Sequence, residues 1–459
     1  MRNKILFRSL VLSLFLALLL SSTMMSACSP QETTGTTGTS AAGTTATSSN
    51  QETKEEVTIR LLSRYTGTDA TTESWNEDLK IFQEMYPYIK IQDESVNQPE
   101  AYDNKIKVGF ATGDLPNVFY IAQIASLPEY AKNGMLMDVT EIMEDKEWFD
   151  GFIDGIFETF NFEAYGVKGY YAVPHSVAPE VFVYNTDLFE QAGIKSTPKT
   201  MDEFYDVIDK LNAIGVIPWA VGGQDGWRIQ HFHNAILYKW MGVPSGRELG
   251  NRSIKWTDPE IVKTIQVVKD LKARGAFDKN VSGIDYEMEK IQFLSGQAAM
   301  VFNGNWFVGE CVDSELHDKF ATFDFPAFSE KPQFANHVVN YSQHFLLKGG
   351  MEGAEKEATI EFIKFYTSKD RQERRVEMAA RMPSRKDVDL SAIQLSHVYK
   401  GYVDVANGAD MVGGDSFEFD PIPSMMDRIR NSFVGMFIED TPAADIAAQI
   451  QQEIDTKGN

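Results

Sequence analysis

Residues 200–223 read Thr-Met-Asp-Glu-Phe-Tyr-Asp-Val-Ile-Asp-Lys-Leu-Asn-Ala-Ile-Gly-Val-Ile-Pro-Trp-Ala-Val-Gly-Gly, and this stretch decides the fold class. Thr200 and Glu203 match the capping box that begins many helices, and apolar side chains recur after them at helical spacing. Those side chains are Phe204, Val207, Ile208 and Leu211. Gly215 is placed to end the helix, and the apolar run 218–221 predicts a strand behind it. A helix followed at once by an apolar strand is typical of α/β proteins.

The same alternation of strands and helices continues outside this stretch. Strands are predicted at residues 58–62, 89–91 and 115–121, where apolar residues form short runs. Helices are predicted from the spacing of Trp75, Leu79 and Phe82, from the start signal Thr257-Asp258-Pro259, and from the phase of Ile446, Ile450 and Ile454. We therefore expect repeated α/β units with largely parallel sheets.

Length and composition bound the class of protein. The chain has 459 residues, 43% of them hydrophobic, and about 400 follow residue 57, enough for two domains or two lobes. The formal net charge of −23 argues against nucleic acid or anionic lipid as a partner. One of the two cysteines, Cys28, lies in the N-terminal segment and the other, Cys311, in an apolar-rich stretch. An internal disulfide is therefore not expected, and Cys311 is expected to be an inert buried thiol.

The N-terminal segment has the layout of a secretory signal. Three basic residues among the first eight precede an apolar run at 10–20, shorter than the about 20 residues that span a bilayer as a helix. Met-Ser-Ala-Cys at 25–28 resembles a bacterial lipobox, in which the cysteine is acylated and becomes the new N-terminus. We therefore expect a signal peptide at 1–27 and a lipid on Cys28, with an ordinary cleaved signal as the alternative. Residues 28–56 are rich in Thr, Ser and Gly and predict a disordered tether.

The sequence carries no motif for nucleotide, metal or nucleophilic chemistry. It contains no P-loop, no Gly-x-Ser-x-Gly elbow, no His-Glu-x-x-His and no Cys-x-x-Cys. His231-Phe232-His233 offers two imidazoles, but no neighbouring ligands complete a set, so we expect surface or capping roles for them. We predict a protein that is not an enzyme and uses no cofactor and no metal. A pair of glycosidase carboxylates stays open as an alternative, because any two of the many acidic residues could face a cleft.

Aromatic and polar side chains are concentrated in loops between apolar strands. A sugar ring has flat apolar faces and a rim of hydroxyls, so an aromatic ring beside amide, carboxylate or guanidinium groups suits it. The candidate ligand-binding residues in three such loops are Asp225, Trp227, Arg228, Asn305, Trp306 and Tyr341. A lone tryptophan is more often a core residue, but both tryptophans here lie beside polar groups in glycine-broken loops. The loops therefore favour a carbohydrate ligand.

Three blocks of the sequence resemble a known family. The first block is Phe-Ala-Thr-Gly-Asp-Leu-Pro-Asn-Val at 110–118 and continues to 130–136. The second block consists of Gly-Tyr-Tyr-Ala-Val-Pro at 169–174, Tyr-Asn-Thr-Asp-Leu-Phe at 184–189 and residues 193–204. The third block runs from 293–300 to Gly-Asn-Trp at 304–306. In this order, behind a lipobox, they are similar to the extracellular solute-binding proteins (family 1) of bacterial carbohydrate ABC importers, which include the maltose-binding protein. The resemblance covers most of residues 57–459.

The resemblance implies an α/β, periplasmic-binding-protein-like fold of two lobes joined by a hinge, with the ligand held in the cleft between them. It places the first lobe at 57–170 and 334–378, and the second at 173–330 and 380–459. The chain is expected to cross the hinge near 172–174, 328–333 and 379–383. Each crossing contains proline, which suits connectors that stay ordered while the lobes rotate.

The resemblance also assigns binding residues. Trp306 matches the stacking tryptophan of the family's Gly-x-Trp turn, and Asp225 and Trp227 match a polar and an aromatic contact. Loops of the first lobe and the stretch past the first crossing supply Ser63, Arg64, Tyr65, Gln123 and His175. Maltose-type proteins have a further cleft tryptophan, but no tryptophan follows Trp306 here, so Phe417 (or Phe419) is expected in its place. This departure favours a carbohydrate other than maltodextrin.

These expectations describe a receptor. We predict a lipid-anchored, monomeric binding component of an ABC importer on the extracellular face of the cytoplasmic membrane, which binds a sugar or oligosaccharide and delivers it to permease subunits. Ligand is expected to stabilise the closed state because only there does it touch both lobes. The alternatives are a receptor for another solute, such as a peptide or polyamine, and a surface glycoside-active enzyme. The sequence leaves the sugar, its linkage and its chain length open.

Overall fold

The computed structural model describes residues 55–121, 124–391, 393–416, 420, 422 and 424–457, and they form strands and helices in alternation. The signal peptide, Cys28 and almost all of the predicted tether lie outside the described residues. The strands are β1 Val57–Leu62, β2 Ile89–Asp93, β3 Val118–Phe119, β4 Val173–Asn185, β5 Ile217–Ala220, β6 Ala298–Gly304, β7 Phe320–Phe323, β8 His337–Leu347 and β9 Met411–Gly413.

The α-helices account for most of the remaining described chain. They are α1 Ala70–Met85, α2 Pro99–Thr112, α3 Leu127–Lys132, α4 Lys146–Phe149, α5 Thr186–Gln191, α6 Met201–Ala213, α7 Gly226–Met241, α8 Pro244–Gly250, α9 Pro259–Ala273, α10 Tyr286–Leu294, α11 Val308–Asp313, α12 Gly353–Tyr366, α13 Lys369–Ala379, α14 His397–Asn407, α15 Ser424–Ile438 and α16 Ala443–Lys457. The predicted helices are confirmed as α1, α6, α9 and α16.

The capping box of α6 forms as its sequence predicts. The backbone N–H of Glu203 donates to Thr200 Oγ1 at 3.3 Å, and the Glu203 carboxylate accepts from the Thr200 backbone N–H at 3.2 Å. Each side chain thus satisfies an amide that the first helical turn leaves unpaired. The helix ends before Gly215, whose φ of +76° lies in the left-handed region that glycine tolerates.

The strand predicted at 115–121 is confirmed only as the two residues of β3. Pro116 has no amide hydrogen to give to a ladder. The Asn117 side chain accepts the backbone N–H of Arg60 at 2.8 Å, in a place where a strand carbonyl would otherwise accept. The ladder with β1 therefore begins only at Val118.

The expectation of largely parallel sheets is wrong at the centre of the molecule. The strand order is β2-β1-β3-β8-β4-β6-β5, with β7 paired to β4 and β9 to β8. The outer pairs β1–β2, β1–β3 and β5–β6 are parallel, but β4 is antiparallel to β6, β7 and β8. The long strands β4 and β8 run between the two groups of parallel strands in opposite directions, so their pairing is antiparallel.

Strands β4 and β8 connect two groups of core side chains. Residues 173–179 of β4 pair with β8, and residues 180–185 continue into pairing with β6 and β7. Phe345 of β8 belongs to one group of core side chains with Ile59 and Trp75, whereas Val339 of the same strand belongs to another with Trp219. The segment around Met382 lies beside β4, because the backbone N–H of Val177 donates to the Met382 carbonyl at 3.1 Å. The predicted lobe boundaries themselves stay a prediction.

His233 of α7 is a titratable group inside the second of these cores. It is fully buried, its Nε2 lies 3.0 Å from Thr264 Oγ1, and its ring packs 4.7 Å from that of Phe433. Burial lowers the pKa of His233 to about 3. The unfolded imidazole takes up a proton below about pH 6.5, so the unfolded state binds more protons and stability falls as the pH falls from 6.5 towards 3.

We therefore expect His233→Phe to flatten the acid limb of the stability curve. Removing one such group should reduce the slope of unfolding free energy against pH by up to about 1.4 kcal/mol per unit below pH 6.5. Urea unfolding at pH 7, 6 and 5 measures the slope, with the exposed His397→Gln as control. Parallel curves for wild type and His233→Phe would contradict the assignment.

Candidate ligand-binding site

Five ring side chains from four parts of the fold meet near the crossing strands. They are Trp227 and His231 of α7, Tyr286 of α10, Trp306 after β6 and Tyr341 of β8, and we call them the aromatic cluster. Ring centroids lie 4.8 Å apart for Trp227 and Tyr286, 4.6 Å for His231 and Tyr341, and 6.2 Å for Trp306 and Tyr341. His231 is buried, and the other four rings are partly exposed. The cluster offers aromatic surface to a ligand.

The local sequence explains where the Trp306 ring lies. A Cβ atom on Gly304 would stand 2.2 Å from the Trp306 ring, so only glycine allows the ring to cover the end of β6. The indole Nε1 donates to the Tyr286 hydroxyl at 3.1 Å, which fixes the ring from α10. This contact satisfies the polar edge of the indole and leaves its faces for packing.

A buried ion pair lies beneath the cluster. The Arg228 guanidinium donates to both oxygens of Glu289 at 2.7 to 3.0 Å and to the Phe302 carbonyl, and its Nη1 lies 3.9 Å from Glu180 Oε1. Burial alone would lower the pKa of Arg228, but Glu289 and Glu180 more than offset this, so the pKa is raised and the charge is kept. The guanidinium also lies 4.7 Å from the Trp227 ring centroid. Arg228, a predicted ligand contact, thus supports the cluster from within the protein.

Asp225 precedes α7 and reaches across to α10. Its Oδ2 accepts the backbone N–H of Tyr286 at 2.7 Å. Desolvation raises the pKa of Asp225, while that hydrogen bond acts in the opposite direction. The carboxylate is therefore held at the edge of the aromatic cluster.

Asn305, next to Trp306, is fully buried. Within the described part of the chain, neither its Nδ2 nor its Oδ1 has a hydrogen-bond partner. Such an amide retains its capacity to donate and accept.

The three predicted residues after β1 lie in one loop. Ser63 is buried, and its Oγ is hydrogen-bonded to Ser95 Oγ at 2.7 Å, so this hydroxyl stabilises the loop. Arg64 is exposed, with its guanidinium 5.3 Å from the Tyr102 ring. Tyr65 is partly exposed and packs 5.7 Å from Trp75. Arg64 and Tyr65 are therefore the members of this loop that can reach a ligand.

His175 lies in β4 at a buried position. Its ring packs 4.6 Å from Phe345 and 5.6 Å from Tyr366. Desolvation is the largest cause of a pKa well below the usual value, so the imidazole is neutral at physiological pH. The structure does not bring His175 to the aromatic cluster. Gln123, Phe417 and Phe419 lie outside the described residues.

Sequence reasoning missed His231, Tyr286 and Glu180. His231 was expected at the surface or in a cap, but it is buried, with Nδ1 2.6 Å from Glu180 Oε1. The signal for it was its position four residues after Trp227, which places both on one helical face. No comparable signal marks Glu180, because its role depends on the pairing of β4 with distant elements.

Metal binding, membrane spanning and thiol chemistry each require particular features of the described residues. Within the described ranges, no group of three potential His, Cys, Asp or Glu ligands could hold a metal ion, and no helix is long and apolar enough to cross a membrane. Cys311 is buried, and burial raises the pKa of its thiol well above the usual value. The thiol is therefore inert, as the sequence predicts.

Comparison with known proteins defines the class. A solved chitin oligosaccharide binding protein superposes with a TM-score of 0.79 at 26% identity, covering 87% of this chain and 98% of that one. The fold is that of the two-lobed periplasmic solute-binding proteins. Residues 67–373 match the bacterial extracellular solute-binding protein family, and the chain belongs to that family.

Two relatives show the range of similarity in sequence. The multiple sugar-binding protein of Streptococcus mutans is 24% identical over 287 residues, which cover 61% of this chain and 64% of the relative. The diacetylchitobiose binding protein DasA of Streptomyces coelicolor is 30% identical over 244 residues, which cover 52% of this chain and 53% of the relative. The chain thus spans less than two thirds of the length of either relative.

The ion pair beneath the cluster predicts a large effect on stability. Glu289→Gln leaves a buried guanidinium without its main partner, which we expect to lower the unfolding free energy by about 3–5 kcal/mol. Glu287→Gln, two residues away, removes an exposed carboxylate from a Lys290 that keeps Glu310 as a partner, and should cost at most about 1 kcal/mol. Urea denaturation of both variants measures the difference. Equal, small losses would show that the pair does not support the site.

Proposed function

We propose that the protein is the substrate-binding component of an ABC importer and that it binds a sugar or oligosaccharide at the aromatic cluster. The observation that carries this is the partly exposed rings of Trp227, Trp306 and Tyr341 beside polar groups. Aromatic faces suit the C–H faces of a sugar, and the carboxylate of Asp225 and the amide of Asn305 suit its hydroxyls. The names of both relatives and of the solved structure support a saccharide ligand.

We further propose that ligand closes two lobes about the crossing strands. The first lobe comprises 57–170 and the second begins at 173, as the sequence predicts. Val339 packs with the second core and Phe345 with the first, which supports a return crossing within β8 at 340–344 rather than at 328–333. Arg64 and Tyr65 supply the first lobe's contacts. Ligand that touches both lobes shifts the population towards the closed state.

The cellular setting is part of the proposal. A lipid on Cys28 and the tether at 28–56 hold the receptor at the outer face of the membrane, where it delivers its ligand to permease subunits. The lipobox-like Met-Ser-Ala-Cys at 25–28 supports the anchor. The receptor performs no covalent chemistry, and the absence of catalytic motifs from the sequence agrees with that role.

A thermal-shift panel tests the ligand class. A ligand that binds only the folded protein stabilises it by about 2.7 kcal/mol at a hundredfold excess over Kd. We expect a rise in Tm with certain mono- or oligosaccharides, without a hydrolysis product, and none with amino acids, polyamines or metals. A response to one of these controls and to no sugar would overturn the carbohydrate assignment, and product formation would indicate an enzyme.

Trp306→Ala tests the location of the site. We expect it to abolish the sugar-induced shift while the ligand-free protein stays folded, because the ring is partly exposed and stacks on ligand. Tyr165→Ala, an aromatic residue 47% exposed and outside the cluster, should bind like wild type. Calorimetric titration and circular dichroism measure binding and folding. A Trp306 variant that melts far below wild type would make Trp306 a core residue.

A further inference from the structure

His231 contacts three ring side chains of the aromatic cluster. Its ring lies 4.6 Å from Tyr341 at an interplanar angle of 24°, 5.0 Å from Trp227 at 75°, and 6.1 Å from Trp306 at 73°. These three rings come from β8, α7 and the turn after β6. One buried imidazole thus touches ring side chains from three separate elements of the aromatic cluster.

The orientation of the imidazole is set by one hydrogen bond. A carboxylate oxygen accepts, so Nδ1 carries the proton and donates to Glu180 Oε1 at 2.6 Å. The Glu180 side chain is fully buried on β4, where its residue pairs with Gly304, immediately before the Asn305-Trp306 turn. Burial and the bond to His231 restrict the movement of the Glu180 side chain.

The charged groups around this pair restrain it further. Arg228 Nη1 lies 3.9 Å from Glu180 Oε1, and the same guanidinium is held by Glu289 of α10. A charge-assisted hydrogen bond at a buried position is stronger than a neutral one and has a defined direction. The orientation of the imidazole, against which the three rings pack, is consequently restrained relative to β4 and α10.

We infer that His231 is the positioning residue of the aromatic cluster: anchored by Glu180, its ring sets the orientation of Trp227, Trp306 and Tyr341 for ligand stacking. The role in ligand stacking rests on the proposed function, but the rings have their orientations without any ligand. It can therefore be tested on the free protein.

Fluorine NMR of the purified protein labelled with 5-fluorotryptophan provides the test. The chain has seven tryptophans, and Trp227→Phe and Trp306→Phe identify the two resonances of interest. In His231→Phe an aromatic ring stays beside both indoles, so its magnetic effect on them is largely kept, but it cannot donate to Glu180. We expect the unanchored ring to let both resonances shift and to leave the other five in place, whereas the exposed His397→Phe displaces none.

Unmoved Trp227 and Trp306 resonances in a folded His231→Phe protein would overturn the inference. If that variant unfolds, Glu180→Gln decides, because it removes the charge from the anchor and should displace the same two resonances by a smaller amount. Unmoved Trp227 and Trp306 resonances in a folded Glu180→Gln protein would also overturn the inference. The readout needs no sugar, so a silent sugar panel contradicts the proposed function without affecting this test.

Discussion

The buried ion pair between Arg228 and Glu289 is the interaction on which the rest of the site depends. It joins the first turn of α7 to α10, and through Glu180 it reaches β4, one of the two strands that cross the molecule. Separating a buried guanidinium from its carboxylate partner is costly, so the ion pair restrains these three elements relative to one another. The aromatic cluster rests on this base, with Trp227 stacked over the guanidinium and His231 bonded to Glu180.

In this arrangement, buried charged residues support the aromatic cluster, and partly exposed rings form the surface that is open to a ligand. Arg228, Glu180 and Glu289 are buried, and the Arg228 guanidinium donates to Glu289 and to the Phe302 carbonyl, whereas the rings of Trp227, Trp306 and Tyr341 are partly exposed. A binding surface that is fixed before the ligand arrives loses less entropy when it binds. In a receptor that works by lobe closure, such a preformed half-site on one lobe lets the binding energy act on the closure itself.

Local patterns of the sequence were sufficient for the elements, because their causes lie within a few residues. The Thr200–Glu203 capping box and the phase of Ile446, Ile450 and Ile454 required no distant partner, and α6 and α16 formed as predicted. The direction of β4 and the burial of His231 depend on residues dozens to hundreds of positions away, such as Tyr341. Periodicity carries no information on such pairings, so the antiparallel centre was not predicted and His231 was expected at the surface.

A crystal structure of the protein with a sugar that raises its Tm would show whether sugar binds on the aromatic cluster. We expect a sugar ring parallel to the Trp306 or Trp227 indole, with hydroxyls within hydrogen-bond distance of Asp225 or Asn305. Sugar bound elsewhere on the chain, with both indoles free of contact, would contradict this expectation.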